Sequence, residues 1–264
     1  MDDFILQKKG GLKYLTIPSF TKSGVVHGFS TRKLEYNKTP CCSLSLDTGT
    51  GGEEFRAYKN REIFLKALGL KGDFWSLKQV HGSRVFTVAE KREPHSIKDG
   101  ILKGDGLVTR QRGVILTMYS ADCVILFLFD PVQQVVGLGH AGWRGTVDGI
   151  GPELVKTMVG GCGSREEDIL VGIGPAIGAC CYEVGRDVIE KVWEVVEESH
   201  LFAKPNGEEK WILDLKMLNV RLLETAGIPK ENITVSSLCT FCHPDSFFSY
   251  RRDGGMTGRM MSVI

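Results

Sequence analysis

Three side chains that could share a metal ion stand at the ends of predicted strands or in turns between them. His81 lies in a short turn, Cys123 begins an apolar run, and His140 ends the next apolar run. A rigid sheet can aim side chains from such positions into one cleft. Two imidazoles and a thiolate suit zinc, which in catalytic sites keeps a fourth position open for water or substrate. Copper also accepts these ligands, so the ligand set leaves the metal open.

The spacing of the three residues does not by itself identify a metal motif. The chain has no HExxH segment and only one CxxC segment, so only the fold can bring the three together. The alternative is that both histidines are polar turn residues and that Cys123 belongs to the core. The preceding Asp122 could orient a ligand or act as an acid or base, or it could be a structural residue at a strand edge.

The segment GLGHAGWRGT, residues 137–146, carries more chemistry than a strand-to-helix turn requires. Free N–H groups at a helix N-terminus form an anion site, and Gly145 and Thr146 lead into a predicted helix. Arg144 adds a fork of donors suited to phosphate or carboxylate. We therefore expect Arg144, Gly145 and Thr146 to bind phosphate beside His140. The alternative is a solvated arginine with glycines that serve only the turn.

The C-terminal part, CTFCHPDSFFSYRRDGGMTGR, is the other dense region. Cys239 and Cys242 form a single CxxC, which without a partner pair is a weak metal signal, so two buried thiols are the expectation. Phe247, Phe248 and Tyr250 are expected in the core; the alternative is that, with Arg251, Arg252 and Arg259, they stack on a base and clamp an anion. Arg251 is a weaker candidate for substrate contact. The chain has eight cysteines and no secretory signal, which predicts reduced thiols, most of them buried.

The elements that must position these residues predict a mixed α/β (α+β) fold with mixed sheets flanked by helices. Short β-rich runs outnumber helical segments, and Asp130-Pro131 predicts a hairpin between two of them. Thr146 is available as the N-cap of one helix. No linker divides the chain, so residues 1–264 are expected to form one domain. Helices are predicted at 53–69, 146–159, 184–199 and 211–227, and a long surface loop at 30–52.

Composition limits the possible partners. The formal net charge is +1 over 264 residues, which gives no electrostatic argument for nucleic acid or a membrane surface. The first eleven residues do not read as a signal peptide. The longest apolar run, Val124 to Phe129, is too short to span a bilayer. We therefore expect a cytoplasmic protein; the oligomeric state stays open.

With these pieces in place, the chain resembles the laccase-domain family, first described as multicopper polyphenol oxidase-like and now as purine nucleoside phosphorylases. Bacterial members have also been called peptidoglycan editing factors. The matching segments run through nearly the whole chain in order: GFSTR at 28–32, NR at 60–61, KQVHGS at 78–83, GDGLVT at 104–109, SADC at 120–123, GHAGWRGT at 139–146, GIGPAIGACCYEV at 172–184, CT at 239–240 and FFSYRRDGGMTGR at 247–259.

The resemblance implies a YfiH-like single domain whose metal triad falls on His81, Cys123 and His140 and holds zinc. It implies cleavage of adenosine, inosine, guanosine and methylthioadenosine by phosphate to base and ribose 1-phosphate, and deamination of adenosine. Zinc would lower the pKa of a water for deamination, and Arg144 would position phosphate. One departure lies in the 33–49 loop, where Ser45 stands in the place of the family's Asn, so substrate preference is open.

Three other functions fit the same residues. A copper-dependent polyphenol oxidase would use the same ligands with a redox metal, although no blue-copper methionine is evident. A cysteine hydrolase would use Cys123 as nucleophile and a nearby histidine as base. A non-enzymatic factor for quality control of peptidoglycan precursors would bind its partner without turnover.

Overall fold

A computed structural model describes residues 3–34, 54–71, 74–88 and 102–264. The strands are β1 (Ile5–Lys9), β2 (Leu12–Thr16), β3 (Gly28–Leu34), β4 (Phe74–Trp75), β5 (Val85–Thr87), β6 (Gly106–Thr109), β7 (Ile115–Ser120), β8 (Val124–Asp130), β9 (Val135–Ala141), β10 (Leu170–Ile173), β11 (Glu183–Gly185), β12 (Ala203–Pro205), β13 (Lys210–Leu213), β14 (Ile233–Val235) and β15 (Met260–Val263). The α-helices are α1 (Pro18–Lys22), α2 (Glu54–Leu68), α3 (Trp143–Val147), α4 (Ile150–Cys162), α5 (Arg186–Val195) and α6 (Leu215–Thr225).

The strands form two large mixed sheets and one small sheet. The first sheet has the order β1-β2-β3-β15-β7-β4, the second β14-β10-β8-β9-β6-β5, and the small sheet β11-β13-β12. Each large sheet contains both parallel and antiparallel neighbours. The predicted mixed α+β class is confirmed, as is the antiparallel hairpin of β8 and β9.

The second sheet is the middle layer of the molecule, and β8 shows why. All seven residues of β8 are buried. Alternate side chains of a strand point to opposite faces, and Leu126 packs in one core cluster with Leu154 of α4. Phe127 packs in the other cluster with Phe29 and Met118 of the first sheet. An apolar run on both faces therefore places helices on one side of this sheet and the first sheet on the other.

Two connections pass from the first sheet to the second, and both carry candidate ligands. His81 lies between β4 and β5, and Cys123 lies between β7 and β8. His140 lies near the end of β9. The three residues can therefore meet at the edge where these connections cross between the two sheets.

The helix predicted at 146–159 is wrong in its start and in its continuity. Gly149, with a φ of 83°, separates α3 from α4. Such a left-handed conformation ends a helix and favours glycine. The N-cap of α3 is Gly142, so Thr146 is not an N-cap but a buried residue within α3.

The remaining helix predictions are confirmed in part. Helix α2 begins and ends close to its predicted bounds, and α5 covers 186–195 of the predicted 184–199. The segment 211–227 begins as a strand, because Trp211 pairs with both neighbours in the small sheet. Asp214 then caps α6, its carboxylate accepting a hydrogen bond from Met217 N at 3.0 Å.

Part of the predicted surface loop at 30–52 is strand, since β3 continues to Leu34. The positions 35–53, which include Ser45, Cys41 and Cys42, lie outside the described residues. Within the described ranges, no helix is long and apolar enough to cross a membrane.

Candidate metal centre

His81, Cys123 and His140 converge as the sequence predicts. One ligand atom from each residue lies within 4.8 Å of the others. The two imidazole rings stand edge to face, with centroids 4.8 Å apart and planes at 80°. The His140 side chain is buried, Cys123 is half-buried and His81 is exposed, so the group opens to solvent on one side. This arrangement offers three ligands and an accessible fourth position.

Asp105 organises two of the three ligands, and the sequence interpretation missed it. Its carboxylate accepts hydrogen bonds from the backbone N–H groups of Val80 (3.1 Å), His81 (3.0 Å) and Gly82 (2.9 Å). The same carboxylate contacts His140 Nδ1 at 2.9 Å. Asp105 therefore holds the turn that carries His81, which has a φ of 62°, and leaves Nε2 of His140 for a metal. A carboxylate behind a ligating histidine is a recurring feature of zinc sites.

A signal for Asp105 was present in the sequence. It is an acidic residue between two glycines, directly before the apolar run of β6. A carboxylate with no exposed surface must have hydrogen-bond donors, and Asp105 is fully buried. What the sequence could not show is that these donors come from a turn more than twenty residues earlier.

The charges of the pair Cys123–His140 stabilise each other. Burial opposes ionisation of Cys123, but the neighbouring His140 and His81 outweigh it and lower the pKa of the thiol to about 6. Burial likewise disfavours the His140 imidazolium, but the Cys123 thiolate and the Asp105 carboxylate raise its pKa to about 9. The contact with His140 and His81 therefore favours the thiolate of Cys123, which is the form that binds a metal.

Gly142 gives the ligands their room. A Cβ atom at this position would lie 2.9 Å from His81 Cδ2 and 3.0 Å from Cys123 Sγ. Its φ of −66° is open to any residue, so the requirement is one of space. The donor set, the carboxylate behind His140 and this close approach together fit a zinc ion held by His81, Cys123 and His140.

The three ligands line a cleft of about 1000 Å³. Its wall combines aromatic rings with cationic side chains, a combination suited to a planar base and an anion. The aromatic and cationic lining residues are Tyr119, Trp143, Tyr182, Tyr250, Arg61, Lys78, Arg144, Arg251 and Arg259.

The predicted phosphate-binding residues do not all lie at the cleft. Arg144 is exposed, lines the cleft and stacks on Trp143 with its guanidinium carbon 4.3 Å from the ring centre. Gly145 and Thr146 are buried and do not line the cleft. A Cβ on Gly145 would lie 2.8 Å from the Gly82 carbonyl oxygen, so this glycine serves helix-to-turn packing. The Thr146 hydroxyl accepts a hydrogen bond from Asn219 Nδ2 at 3.0 Å. Of the four predicted phosphate-binding residues, only Arg144 and Arg251 line the cleft.

Asp122 lines the cleft, but its carboxylate is fully engaged. It accepts hydrogen bonds from Thr240 Oγ1 (2.6 Å), Ser249 Oγ (2.9 Å) and the backbone N–H of Arg251 (2.7 Å). Its φ of 90° is unusual for a residue with a side chain. Such strain persists where the surroundings over-determine it. These contacts give Asp122 a positioning role toward the Arg251 segment.

Two arginines frame the cleft in different ways. The Arg251 guanidinium donates to the Glu183 carbonyl at 2.7 Å and lies 5.3 Å from the Tyr182 ring centre. Arg61, which belongs to the NR segment at 60–61 but has no predicted site role, is 2% exposed and lies 4.9 Å from the Tyr119 ring centre. Phe247 and Phe248 are buried, which confirms their predicted place in the core. The same prediction is wrong for Tyr250, which is 55% exposed and lines the cleft.

The chain is similar to known proteins over nearly its whole length. The family model described as multi-copper polyphenol oxidoreductase laccase matches residues 26–264. Purine nucleoside phosphorylase YlmD of Bacillus subtilis is 37% identical, covering 91% of this chain and 88% of its own. Human purine nucleoside phosphorylase LACC1 is 32% identical over 90% of this chain and 55% of its own.

Solved structures agree with the fold. The hypothetical protein YfiH of Bacillus licheniformis superposes with a TM-score of 0.90 at 35% identity, covering 98% of this chain and 97% of its own. YlmD from Geobacillus stearothermophilus gives a TM-score of 0.89 at 34% identity, with 98% of both chains covered. The predicted YfiH-like arrangement is thereby confirmed.

Proposed function

Because the chain belongs to the family described as multi-copper polyphenol oxidoreductase laccase, and its relatives are named purine nucleoside phosphorylases, we propose that it cleaves purine nucleosides with phosphate. The products are the free base and ribose 1-phosphate. The proposed substrates are adenosine, inosine, guanosine and methylthioadenosine, and adenosine is also deaminated to inosine. The site is the cleft that contains His81, Cys123 and His140.

The observation that carries this proposal is the meeting of three metal ligands with cationic and aromatic side chains in one cleft. A site that binds a nucleoside together with phosphate needs aromatic and cationic side chains in the same cleft. An aromatic wall accepts the base by stacking, and arginine forks accept phosphate oxygens.

Zinc is the metal that the ligands support best. They would hold it through one thiolate and two imidazoles, with Asp105 fixing the His140 ring. A copper electron-transfer site of this ligand type usually adds an axial methionine, and no methionine lines the cleft as described. When bound, zinc supplies Lewis acidity toward an oxygen of phosphate or water.

The chain's own residues account for binding and orientation. Arg144 is exposed at the cleft with its guanidinium carbon over the Trp143 ring, and its donors would bind an incoming anion. Arg251 faces the same cleft, with its backbone held by Asp122. Two guanidinium groups holding phosphate against the ribose would lower the barrier by proximity and by stabilising charge on the separating sugar.

The test is a product assay on metal-analysed protein. Each nucleoside is incubated with and without phosphate, and the products are separated. We expect base and ribose 1-phosphate only with phosphate, and inosine from adenosine without it. His140→Ala is expected to lose at least about a hundredfold in both reactions, whereas Glu153→Gln, a surface change in α4, keeps them.

Other products would contradict the proposal. Oxidation of phenols that depends on added copper, without nucleoside turnover, would establish the oxidase. Turnover that survives removal of metal but not a Cys123→Ser substitution would establish the hydrolase. Binding of a peptidoglycan precursor with no nucleoside turnover under any condition would establish the non-enzymatic role.

A further inference from the structure

Four thiols meet outside the cleft, in what we call the four-cysteine cluster: Cys180, Cys181, Cys239 and Cys242. Their sulfur atoms all lie within 4.8 Å of one another. The first two precede β11 and the last two follow β14, so the cluster joins segments about sixty residues apart. The expectation that the CxxC thiols are both buried is wrong, because Cys242 is exposed. We propose that the four-cysteine cluster is a second metal site, which binds one thiophilic ion of the zinc type.

The sulfur distances suit one ion better than a disulfide. Tetrahedral zinc with Zn–S bonds of about 2.3 Å places its sulfurs about 3.8 Å apart. Cys242 Sγ lies 3.3 Å from Cys181 Sγ and 3.5 Å from Cys180 Sγ, and the remaining separations stay within 4.8 Å. A disulfide would select one partner for Cys242 and leave two thiols unused. Nearly equal distances to both neighbours indicate a shared centre.

A backbone donor points at the buried sulfur of the cluster. Gly178 N donates to Cys239 Sγ at 3.2 Å. A hydrogen bond from a backbone N–H group stabilises a thiolate, which is the form of cysteine that binds a metal.

Two cationic side chains bond to the backbone of the segment that carries Cys239 and Cys242. The buried Lys216 donates through Nζ to the carbonyl oxygens of Ser236 (2.6 Å) and Leu238 (3.3 Å), directly before Cys239. Arg252, which also pairs with Asp253, donates to the carbonyl oxygen of Thr240, between the CxxC cysteines, at 2.9 Å. These bonds hold the backbone on both sides of Cys239.

The cluster also connects to the cleft. Tyr182, which follows Cys181, lines the cleft. Thr240, which lies between Cys239 and Cys242, donates to Asp122 at 2.6 Å. An ion with four protein ligands has no open position, so its role is to clamp these two segments. This inference does not depend on the proposed nucleoside chemistry.

The experiment uses the full chain, purified under reducing conditions, stripped of metal and titrated with Co²⁺ alone and with Zn²⁺ alone. We expect two ions per chain for the natural sequence. Cobalt in the cluster should show intense thiolate-to-metal charge-transfer bands. The Cys180→Ser/Cys242→Ser variant is expected to lose one equivalent and most of that absorption. His140→Ala should lose the other equivalent and keep the bands.

Two controls keep the result interpretable. Cys162→Ala removes a buried thiol of α4 that lies outside the cluster, and it should keep both ions. The single variant Cys242→Ser changes an exposed residue, so it should fold and bind the cluster ion more weakly even if the double variant folds poorly. Equal metal stoichiometry and equal cobalt spectra for the natural chain, Cys242→Ser and Cys180→Ser/Cys242→Ser would overturn the proposal. So would a disulfide among the four cysteines in the reduced preparation.

Discussion

At the scale of single residues, Asp105 links the loop of His81 to the ring of His140. Replacing it by Asn keeps the shape but removes the negative charge, and it turns an amide NH₂ toward backbone N–H donors. Loss of a carboxylate behind a ligating histidine costs about 10- to 100-fold in metal affinity. We therefore expect Asp105→Asn to weaken zinc binding by that factor in a competition titration with a chelator.

A matched control separates this effect from a general loss of stability. Asp148 is an exposed acid just after α3, and Asp148→Asn should leave the zinc affinity unchanged. Circular dichroism should show both variants folded. An unchanged affinity in Asp105→Asn would mean that the carboxylate does not orient His140.

Residue by residue, the sequence reveals ligands more readily than the groups that hold them. His81, Cys123 and His140 are of metal-binding types and stand at strand ends, so they could be selected directly. Asp105 acts through N–H groups of a distant turn, and Asp122 through hydroxyl groups more than a hundred residues later. Such long-range contacts are not encoded in local spacing.

At the scale of elements, the junction of β9 and α3 sets the width of the centre. The backbone conformation of Gly142 at this junction is open to alanine, but the Cβ of an alanine would clash with His81 and Cys123. We expect Gly142→Ala to displace these ligands and reduce zinc affinity at least about tenfold. Gly160→Ala in α4 is the control, since nothing lies within 4 Å of its Cβ; equal affinities in both variants would contradict the steric role.

A second element-scale prediction concerns His27, which joins α1 to the segment before β3. Its Nε2 accepts a hydrogen bond from Ile17 N at 2.6 Å, and its Nδ1 lies 3.0 Å from the Val25 carbonyl oxygen. Burial lowers its pKa to about 4, against the smaller opposing effect of Val25. Between pH 6.5 and 4 the unfolded chain therefore binds more protons, so the free energy of unfolding falls as the pH falls through this window.

The expected loss from this histidine is about 2 kcal/mol between pH 7 and pH 5. Urea unfolding of the natural chain and of His27→Gln at both pH values measures it. Glutamine does not titrate, so the difference in free energy between the two proteins should narrow by about this amount at pH 5. Parallel losses in both proteins would assign the pH dependence to other groups.

The sequence predicts those elements whose pattern of apolar residues is regular within the element itself. The hairpin of β8 and β9 and helix α2 follow from apolar runs and turn residues. Trp211 begins a segment whose periodicity predicts a helix, yet it forms a strand because it pairs with β11 and β12. The divided helix α3–α4 depends on the left-handed Gly149, which apolar periodicity does not register.

At the scale of the whole molecule, the order of the layers follows from the apolar side chains on both faces of β8. The points at which the chain crosses from one large sheet to the other cannot be predicted from that pattern. His81 and Cys123 lie on the two connections that cross from the first sheet to the second, and His140 lies on the second sheet. A metal ion bound to all three would therefore join the two sheets. Binding energy at such a point stabilises the whole fold rather than one loop.

This gives a prediction for thermal unfolding, made in the Cys180→Ser/Cys242→Ser background so that only the triad takes zinc. Ligand at 1,000 times its Kd stabilises the native state by about 4 kcal/mol, which for a chain of this size corresponds to a rise in Tm of about 10 °C. We expect this rise in one cooperative transition, as the predicted single domain of 264 residues requires. Adding His140→Ala should abolish the rise. Two separate transitions, with zinc raising only one of them, would show instead that the sheets unfold independently and that the centre belongs to one of them.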